Sequence, residues 1–334
     1  MMRRIECAIP ADFEGRTVDV VARRVLQMSR HTLTRAKYLE DGILLDGVRV
    51  RSNERVHAGQ QLSVAIGDGE EALEAGRVEP IAGTVDIAYE DEDLIVLNKP
   101  AGIVMYPFEG IAEPTLGNFL MHYFVQEGKS CRLHPVHRLD RGTSGLVVFA
   151  KNAFAQHHLQ KALHTQDFCR EYRALCHGVP PKRYGVVDAS IARRSYRPAS
   201  FCVAEGGVDG AAAKPARTHY EVLETFTCDA RVSDVSAGDG GKARDSDDCE
   251  QGEACALVRA RLETGRTHQI RVHMAYLGCP LVGDELYGGS TTAIARPALH
   301  SAHLEMRHPV TGERIVLDSP VPADMSHVLH ELLV

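Results

Sequence analysis

The order of strand-like and helix-like segments constrains the fold of this chain most, because the two kinds of segment do not alternate. Apolar runs of high β-propensity predict strands over 94–98, 146–150, 171–177, 218–223, 256–262 and 302–306. Helical spacing of apolar residues predicts helices over 116–125, 153–164 and 268–277. A doubly wound parallel sheet requires a helix between successive strands, so the order favours the α+β class.

Residues 14–66 form a smaller predicted unit. An apolar helical stripe follows Thr17, a candidate N-cap, and a second short helix is predicted over about 32–39. Asp46-Gly47 between two apolar runs then predicts a β-hairpin. The basic residues of the unit concentrate in its two helices, at Arg23, Arg24, Arg30, Arg35 and Lys37. Such a run is typical either of a solvated helix face or of a surface that binds phosphate.

The distribution of charge divides the chain into segments. The 334 residues have a formal net charge of −7, which excludes a uniformly basic protein of the nucleic-acid-coating kind. Residues 67–93 carry −9 and residues 229–253 carry −5, whereas residues 1–66 carry +3 and the remainder +4. We interpret residues 67–85 as an acidic linker and residues 229–253 as a disordered insertion at a hairpin tip. The mildly basic remainder is compatible with a polyanionic partner.

The sequence also bears on compartment and on several enzyme classes. It has no apolar run of about 18 residues, which predicts that no segment spans a membrane. The N-terminus lacks the apolar stretch of a signal peptide, and nine cysteines without a C-x-x-C pair predict free thiols in the cytoplasm. The paired histidines match no standard metal-ligand spacing, and Ser144 is in no G-x-S-x-G motif. We therefore expect neither a metal-dependent hydrolase nor a serine hydrolase.

The first cluster of candidate catalytic groups is the run 134–145, His-Pro-Val-His-Arg-Leu-Asp-Arg-Gly-Thr-Ser-Gly. Its Asp140 lies in a glycine-flanked turn that places a carboxylate at the end of the next predicted strand. Arg138 and Arg141 flank this carboxylate, and neighbouring cations keep it ionised, as a nucleophile or base requires. The spacing alone fits an aspartate that caps a turn at least as well.

Two further segments carry candidate groups. In residues 262–274, Thr267 is a candidate helix N-cap, and Arg266 and Arg271 fall at or near the positive end of the helix. Cations there oppose the helix dipole by roughly a few tenths of a kcal/mol or more, which predicts a carboxylate or phosphate partner. In the predicted strand 171–177, Tyr172 alternates with basic residues, and it is either a tyrosine that stacks on a base or an ordinary core or edge residue.

These residues, taken together, resemble the RluA-type RNA pseudouridine synthases. The signature is His137-Arg-Leu-Asp-Arg-Gly-Thr-Ser-Gly145, and the supporting motifs occur in the family's order: Asn98-Lys-Pro-Ala-Gly102, Glu171-Tyr-Arg-Ala-Leu-Cys-His-Gly178, Leu262-Glu-Thr-Gly-Arg-Thr-His-Gln-Ile-Arg-Val-His-Met274, Gly283-Asp-Glu-Leu-Tyr-Gly288 and Leu299-His-Ser-Ala-His-Leu304. The similarity extends from about residue 85 to 325. Residues 14–66 are similar, more loosely, to an S4 RNA-binding domain.

The resemblance implies a fold and a set of roles. The fold is a large, mostly antiparallel mixed sheet with flanking helices and a central cleft, in a catalytic domain over 86–330. Asp140 matches the essential aspartate, Tyr172 the tyrosine that stacks on the target base, and Arg271 the basic residue that pairs with the aspartate. No cofactor or metal is implied. The residues that we expect to contact RNA are Arg138, Arg141, Arg266, His268, Arg23, Arg24, Arg30, Arg35 and Lys37, with Arg138 filling the space that a flipped base leaves.

The implied substrate is a uridine in 23S ribosomal RNA or a pre-50S particle, acted on by a monomer. Transfer RNA is the alternative substrate, and a ribosome-assembly factor with a vestigial synthase domain is the alternative function. One departure concerns Tyr106-Pro107, where family members often carry His-Pro. This departure bears on substrate contacts more than on the catalytic residues.

Overall fold

A computed structural model of the chain describes residues 3–67, 78–108, 110–129, 132–194, 200–204, 213–227 and 254–332. Within these ranges the protein is of the α+β class, as predicted, with two principal sheets and short helices between and beside them. No helix in this part of the chain is both long and apolar enough to cross a membrane. The prediction of free thiols holds for Cys7, Cys169, Cys176, Cys202 and Cys279 but is wrong for Cys255, which is disulfide-bonded.

The N-terminal unit is a four-stranded antiparallel sheet with two helices, in the strand order β1-β4-β2-β3. Its elements are β1 (Arg4–Ala8), α1 (Val18–Arg24), α2 (Arg30–Tyr38), β2 (Ile43–Leu45), β3 (Val48–Arg49) and β4 (Gln61–Ala65). Asp46 and Gly47 have φ values of 51° and 79°, which confirms the predicted hairpin turn. The sheet includes β1, so the folded unit starts before the predicted boundary at residue 14.

The N-terminal unit packs directly on the rest of the protein. Phe154 belongs to the hydrophobic core of the unit, and Val310 packs against the same core. At the edge of this contact the Arg3 guanidinium donates to both carboxylate oxygens of Asp93, at 3.2 and 2.8 Å. These contacts hold the two basic helices in one orientation relative to the large sheet.

The large sheet has the main strand order β10-β13-β14-β9-β15-β8-β6-β5, with β16 paired to β15 and β7 to β8. All of its pairings are antiparallel except β8–β15, so the mostly antiparallel mixed sheet is confirmed. Its strands are β5 (Ile87–Glu90), β6 (Leu94–Lys99), β7 (His134–Pro135), β8 (Ser144–Ala150), β9 (Phe168–His177), β10 (Tyr184–Asp188), β13 (Arg217–Thr227), β14 (Ala254–Leu262), β15 (Leu299–Arg307) and β16 (Arg314–Asp318). A separate ribbon joins β11 (Ile191–Arg193) and β12 (Phe201–Val203).

Four helices flank the large sheet: α3 (Leu116–Gln126), α4 (Ala153–Ala162), α5 (Gln269–Tyr276) and α6 (Ala323–Glu331). Successive strand residues point to opposite faces of a sheet, and β6 shows this division. Ile95 and Leu97 pack in the core that contains α3, whereas Leu94 and Val96 pack in the core that contains α4. Both faces of this part of the sheet are therefore buried.

The predicted linker and insertion fall at the borders of these elements. Residues 68–77 of the linker lie outside the described residues, but Val78 is buried in the core with α3. The Asn118 side chain donates to the Glu79 carbonyl at 2.8 Å, which ties this segment to α3. The insertion at 229–253 also lies outside the described residues. Its flanking strands β13 and β14 pair antiparallel, so it joins two hairpin strands as predicted.

The parallel pairing of β8 with β15 depends on one glycine. Gly145 has a φ of 104°, and a Cβ atom built on it would lie 2.2 Å from the Ser301 carbonyl oxygen. Only glycine allows the two backbones to approach this closely in this conformation. The contact lies directly after the Asp140 turn, so it also determines where that turn sits on the sheet.

We expect Gly145→Ala to lower the free energy of unfolding by about 3 kcal/mol or more, because the methyl group meets backbone that has no room to move. Gly312→Ala is the matched control, since Gly312 has a φ of 74° but open space around its Cβ position. It should cost only about 1 kcal/mol through backbone strain. Denaturant unfolding measures both. Equal losses for the two variants would contradict the role of the close contact.

Candidate active site

The two predicted clusters meet in one cavity of about 1000 Å³. Its lining includes the turn before β8, the loop before α5, and Tyr172 from β9. The three residues that the resemblance singled out, Asp140, Tyr172 and Arg271, all line it. Residues that are up to 131 positions apart in the sequence are thus brought together by the strand order.

Asp140 is held in a short turn that ends where β8 begins. The Thr143 amide donates to the Asp140 carbonyl at 3.1 Å, and the Gly102 amide donates to the Arg141 carbonyl at 2.8 Å. Leu139 is buried beside it, which anchors the turn to the core. The Asp140 side chain is 28% exposed, so its carboxylate faces the cavity and remains open to a ligand.

Arg271 is the buried cation beside this carboxylate. Its Nη1 lies 3.8 Å from the Asp140 Oδ2, while its Nε and Nη2 donate to the two oxygens of Asp284 at 2.6 and 2.7 Å. Burial lowers the pKa of Arg271, but the bonds and charge of Asp284 outweigh burial and leave that pKa raised. The predicted anionic partner near this helix end is therefore a pair of carboxylates.

His268 is a second neighbour of the Asp140 carboxylate. Its Nε2 is 4.0 Å from the Asp140 Oδ2, and its Nδ1 is 2.8 Å from the Tyr287 hydroxyl. The Phe201 amide also donates to that hydroxyl, at 3.1 Å. Burial lowers the pKa of His268, which favours the neutral ring.

The start of α5 differs from the prediction that Thr267 is its N-cap. The N-cap is His268, in the left-handed conformation with a φ of 58°, and its side chain makes no capping hydrogen bond. The Gln269 Oε1 instead accepts from the Arg266 amide at 3.0 Å. The His268 side chain is thereby free to reach Tyr287, an effect of tertiary contacts that a capping pattern does not contain.

Tyr172 and Lys99 complete the environment of Asp140. Tyr172 is 3% exposed, and burial raises the pKa of its hydroxyl, so the ring is neutral. The Lys99 ammonium is buried and donates to the carbonyls of Pro100, Ile103 and Arg141 at 2.9, 3.0 and 3.2 Å. Burial lowers the pKa of Lys99 to about 7, and the Asp140 carboxylate acts in the opposite direction.

The predicted RNA-contact residues fall into two groups. Arg138, Arg141, Arg266 and His268 line the cavity, with Arg138 exposed. The Arg141 guanidinium pairs with Glu113 at 2.6 Å, and the Arg266 Nε donates to the Pro215 carbonyl at 2.9 Å. The other group lies on α1 and α2 of the N-terminal unit, outside the cavity, and consists of Arg23, Arg24, Arg30, Arg35 and Lys37.

Four residues at this site were not predicted from the sequence: Lys99, Arg170, Asp284 and Tyr287. Asp284 and Tyr287 lie in the motif 283–288, and Lys99 lies in the motif 98–102, but neither motif predicts a role for these residues. Arg170 lines the cavity two residues before Tyr172 on the same face of β9. The position of Lys99 inside the motif 98–102 is the sequence signal that could have singled it out.

Known proteins that are similar to this chain share one family description. The family model for RNA pseudouridylate synthase matches residues 93–276. An uncharacterized RNA pseudouridine synthase of Bacillus subtilis is 35% identical over 285 residues, covering 85% of this chain and 81% of the relative. The ribosomal large subunit pseudouridine synthase D of Haemophilus ducreyi is 33% identical over 339 residues, covering 97% of this chain and 93% of the relative.

A solved structure shares the fold. Human RNA Pseudouridylate Synthase Domain Containing 4 superimposes with a TM-score of 0.53 at 23% identity, over 74% of this chain and 93% of that one. The matched family region contains Asp140, Tyr172 and Arg271. The chain therefore belongs to the RNA pseudouridine synthases, isomerases that act on uridine in RNA, and within them to the RluA type.

Proposed function

We propose that this protein converts one or more uridines of 23S ribosomal RNA to pseudouridine, with Asp140 as its essential catalytic group. The observation that carries the proposal is the position of the Asp140 carboxylate, which faces the cavity 3.8 Å from Arg271 with the Tyr172 ring in the same lining. The ribosomal substrate is inferred from relatives such as the Haemophilus ducreyi protein, a ribosomal large subunit pseudouridine synthase.

The reaction breaks the N1–C1′ bond, rotates the uracil and forms the C5–C1′ bond. The proton lost from C5 is balanced by one gained at N1, so the product is an isomer and no oxidant or other co-reactant is consumed. The target base first leaves its stack, which costs a few kcal/mol and costs least in a loop. The cavity of about 1000 Å³ is large enough to enclose the extruded nucleotide.

Asp140 acts in one of three ways in this proposal: it attacks C1′, adds to the uracil ring, or takes a proton from the ribose. In each of them the charged carboxylate is the reacting group, and the Arg271 Nη1 and the His268 Nε2 lie 3.8 and 4.0 Å from its Oδ2. In this proposal the exposed Arg138, which lines the cavity two residues before Asp140, fills the space that the flipped base leaves.

We expect Tyr172→Ala to lower turnover by about tenfold to a hundredfold, because a stacked base contributes about 1–3 kcal/mol. Tyr172→Phe keeps the ring and should retain most of the activity, so it is the matched control. Single-turnover kinetics at saturating RNA measures the difference. If the phenylalanine variant were as slow as the alanine variant, the hydroxyl and not the ring would be the important group.

The basic helices of the N-terminal unit should supply phosphate contacts that position the RNA. We test this with the combined variant Arg23→Gln, Arg24→Gln, Arg30→Gln, because deleting the unit would also expose Phe154 and release Asp93. Affinity for 23S rRNA should fall, and the slope of log affinity against log salt should decrease by about 0.7–0.9 for each phosphate that is no longer bound. Arg49→Gln, on β3 outside the helices, should change neither. An unchanged slope in the triple variant would remove this role.

The substrate is tested with purified protein and unmodified transcripts. We expect pseudouridine to form in 23S rRNA transcript and not in a pool of transfer RNA transcripts, as measured by base-resolution mapping. Modification of transfer RNA alone would replace the ribosomal assignment with the alternative substrate. RNA binding without pseudouridine in any transcript would favour the assembly-factor alternative.

A further inference from the structure

Arg170 is a buried cation that has no counter-ion in the part of the chain that the structure describes. It lies on β9 and lines the cavity, yet it is only 4% exposed. Its Nε makes no hydrogen bond, and no described carboxylate pairs with its guanidinium. Leaving a buried charge unpaired is unfavourable by several kcal/mol, so such a residue needs an explanation.

Arg271 provides the comparison within the same cavity. It is 8% exposed, about as buried as Arg170, but the two oxygens of Asp284 satisfy its guanidinium at 2.6 and 2.7 Å. This buried arginine thus has its own carboxylate. Arg170 has none among the described residues, although it lines the same cavity.

Three neighbours of Arg170 are neutral. The Phe168 ring centroid lies 5.9 Å from its Cζ atom. Burial, together with the charge of Arg170, lowers the pKa of His137 well below its usual value, so that ring carries no charge. Burial raises the pKa of Tyr172, so the phenol is neutral as well. None of these three neighbours supplies a negative charge to the Arg170 guanidinium.

The guanidinium is reachable from the cavity because its neighbour is a glycine. A Cβ atom on Gly265 would lie 3.6 Å from Nη1 and 4.0 Å from Nη2 of Arg170. Because Gly265 has no Cβ atom, the edge of the planar Arg170 guanidinium fork that carries Nη1 and Nη2 is left uncovered. A phosphodiester is the anion that this fork matches best, with two parallel N–H···O bonds and one negative charge.

We propose that Arg170 is the receptor for a backbone phosphate of the RNA strand next to the flipped uridine. The inference rests on the proposed function, since it assumes that the cavity receives an RNA nucleotide. It assigns Arg170 a binding role that is separate from the chemistry of Asp140. A phosphate placed here provides the missing counter-ion and fixes the nucleotide between Tyr172 and the α5 loop.

The first experiment compares Arg170→Gln with the wild-type protein in binding and in thermal unfolding. Affinity for unmodified 23S rRNA transcript should fall on the order of tenfold or more, as expected for a charged hydrogen bond. The salt slope should decrease by about 0.7–0.9, the value for one phosphate contact. The melting temperature should stay level or rise, because the variant removes an unpaired buried charge. Arg314→Gln, a surface arginine paired with Glu305, should leave affinity unchanged.

The second experiment locates the phosphate by ethylating the transcript at random phosphates, which removes their charge. Ethylation of one phosphate beside the modified uridine should block binding of the wild-type protein, while Arg170→Gln should be insensitive at that position. Gly265→Ala alters no charge and covers the fork, so it should weaken binding in the same direction. If Arg170→Gln fails to fold, Gly265→Ala still tests whether the Arg170 guanidinium binds a phosphate.

Unchanged affinity and salt slope in Arg170→Gln, or equal ethylation patterns for both proteins, would overturn the proposal. A large fall in melting temperature with normal RNA affinity would assign Arg170 a structural role instead. At saturating RNA, Arg170→Gln should still form pseudouridine, with the defect in KM. Failure of the proposed function looks different, because wild-type protein would then bind RNA without forming any pseudouridine.

Discussion

Asp140→Asn should abolish pseudouridine formation while leaving the fold and RNA binding intact. The substitution keeps the size of the side chain but removes the negative charge that a nucleophile or base needs, and we expect kcat to fall by at least about a thousandfold. The Asp140 side chain is 28% exposed, and Arg271 keeps Asp284 as a partner, so no buried charge is left unpaired. Single-turnover assays on 23S rRNA, with melting curves, measure both consequences.

Glu113→Gln is the matched control for Asp140→Asn. Glu113 is an exposed carboxylate that pairs with Arg141, the residue next to Asp140. Its loss removes a charge of the same sign close to the site and should leave turnover within about twofold, because an exposed ion pair contributes little. Residual turnover of Asp140→Asn above about a hundredth of the wild-type rate would contradict an essential aspartate.

Arg271→Met should cause a large loss of both stability and activity. The side chain is buried, and its removal leaves the Asp284 carboxylate, which is 1% exposed, without its cation. Breaking a buried pair in this way costs about 3–5 kcal/mol. Turnover should also fall, since the cation 3.8 Å from Asp140 is removed. Denaturant unfolding and single-turnover kinetics measure the two effects on the same preparations.

A double variant separates the two roles of Arg271. In Arg271→Met/Asp284→Leu the uncompensated carboxylate is also removed, so much of the unfolding free energy should return. Turnover should not return, because Asp140 still lacks its neighbouring cation. Recovery of turnover together with stability would show that Arg271 acts on the reaction only through folding.

Much of the fold could be predicted because periodicity and turn chemistry are local. The predicted strand 146–150 is the core of β8, and the predicted helix 116–125 is α3 to within one residue. The strand β1 was missed because its short sequence, Arg-Ile-Glu-Cys-Ala, alternates polar and apolar residues too briefly to stand out. Its place in the sheet comes from pairing with β4, more than 50 positions away.

The candidate site likewise has features that local sequence patterns predict and features that only the tertiary structure shows. The motifs brought Asp140, Tyr172 and Arg271 to attention, and the anionic partner of Arg271 was predicted as a class from the helix dipole. That this partner is mainly Asp284 depends on how the 283–288 loop folds back on α5, which no local pattern contains. The sequence also cannot show that Arg170 has no counter-ion among the described residues, because this depends on which groups surround its guanidinium in space.

The most direct test of the central claim is a map of pseudouridines in the ribosomal RNA of a strain that lacks this gene. We predict that at least one pseudouridine of 23S rRNA disappears in the deletion strain. It should return when the wild-type protein is supplied and stay absent when Asp140→Asn is supplied at an equal level. An unchanged 23S map in the deletion strain would contradict the ribosomal assignment, and restoration by Asp140→Asn would contradict the role of the aspartate.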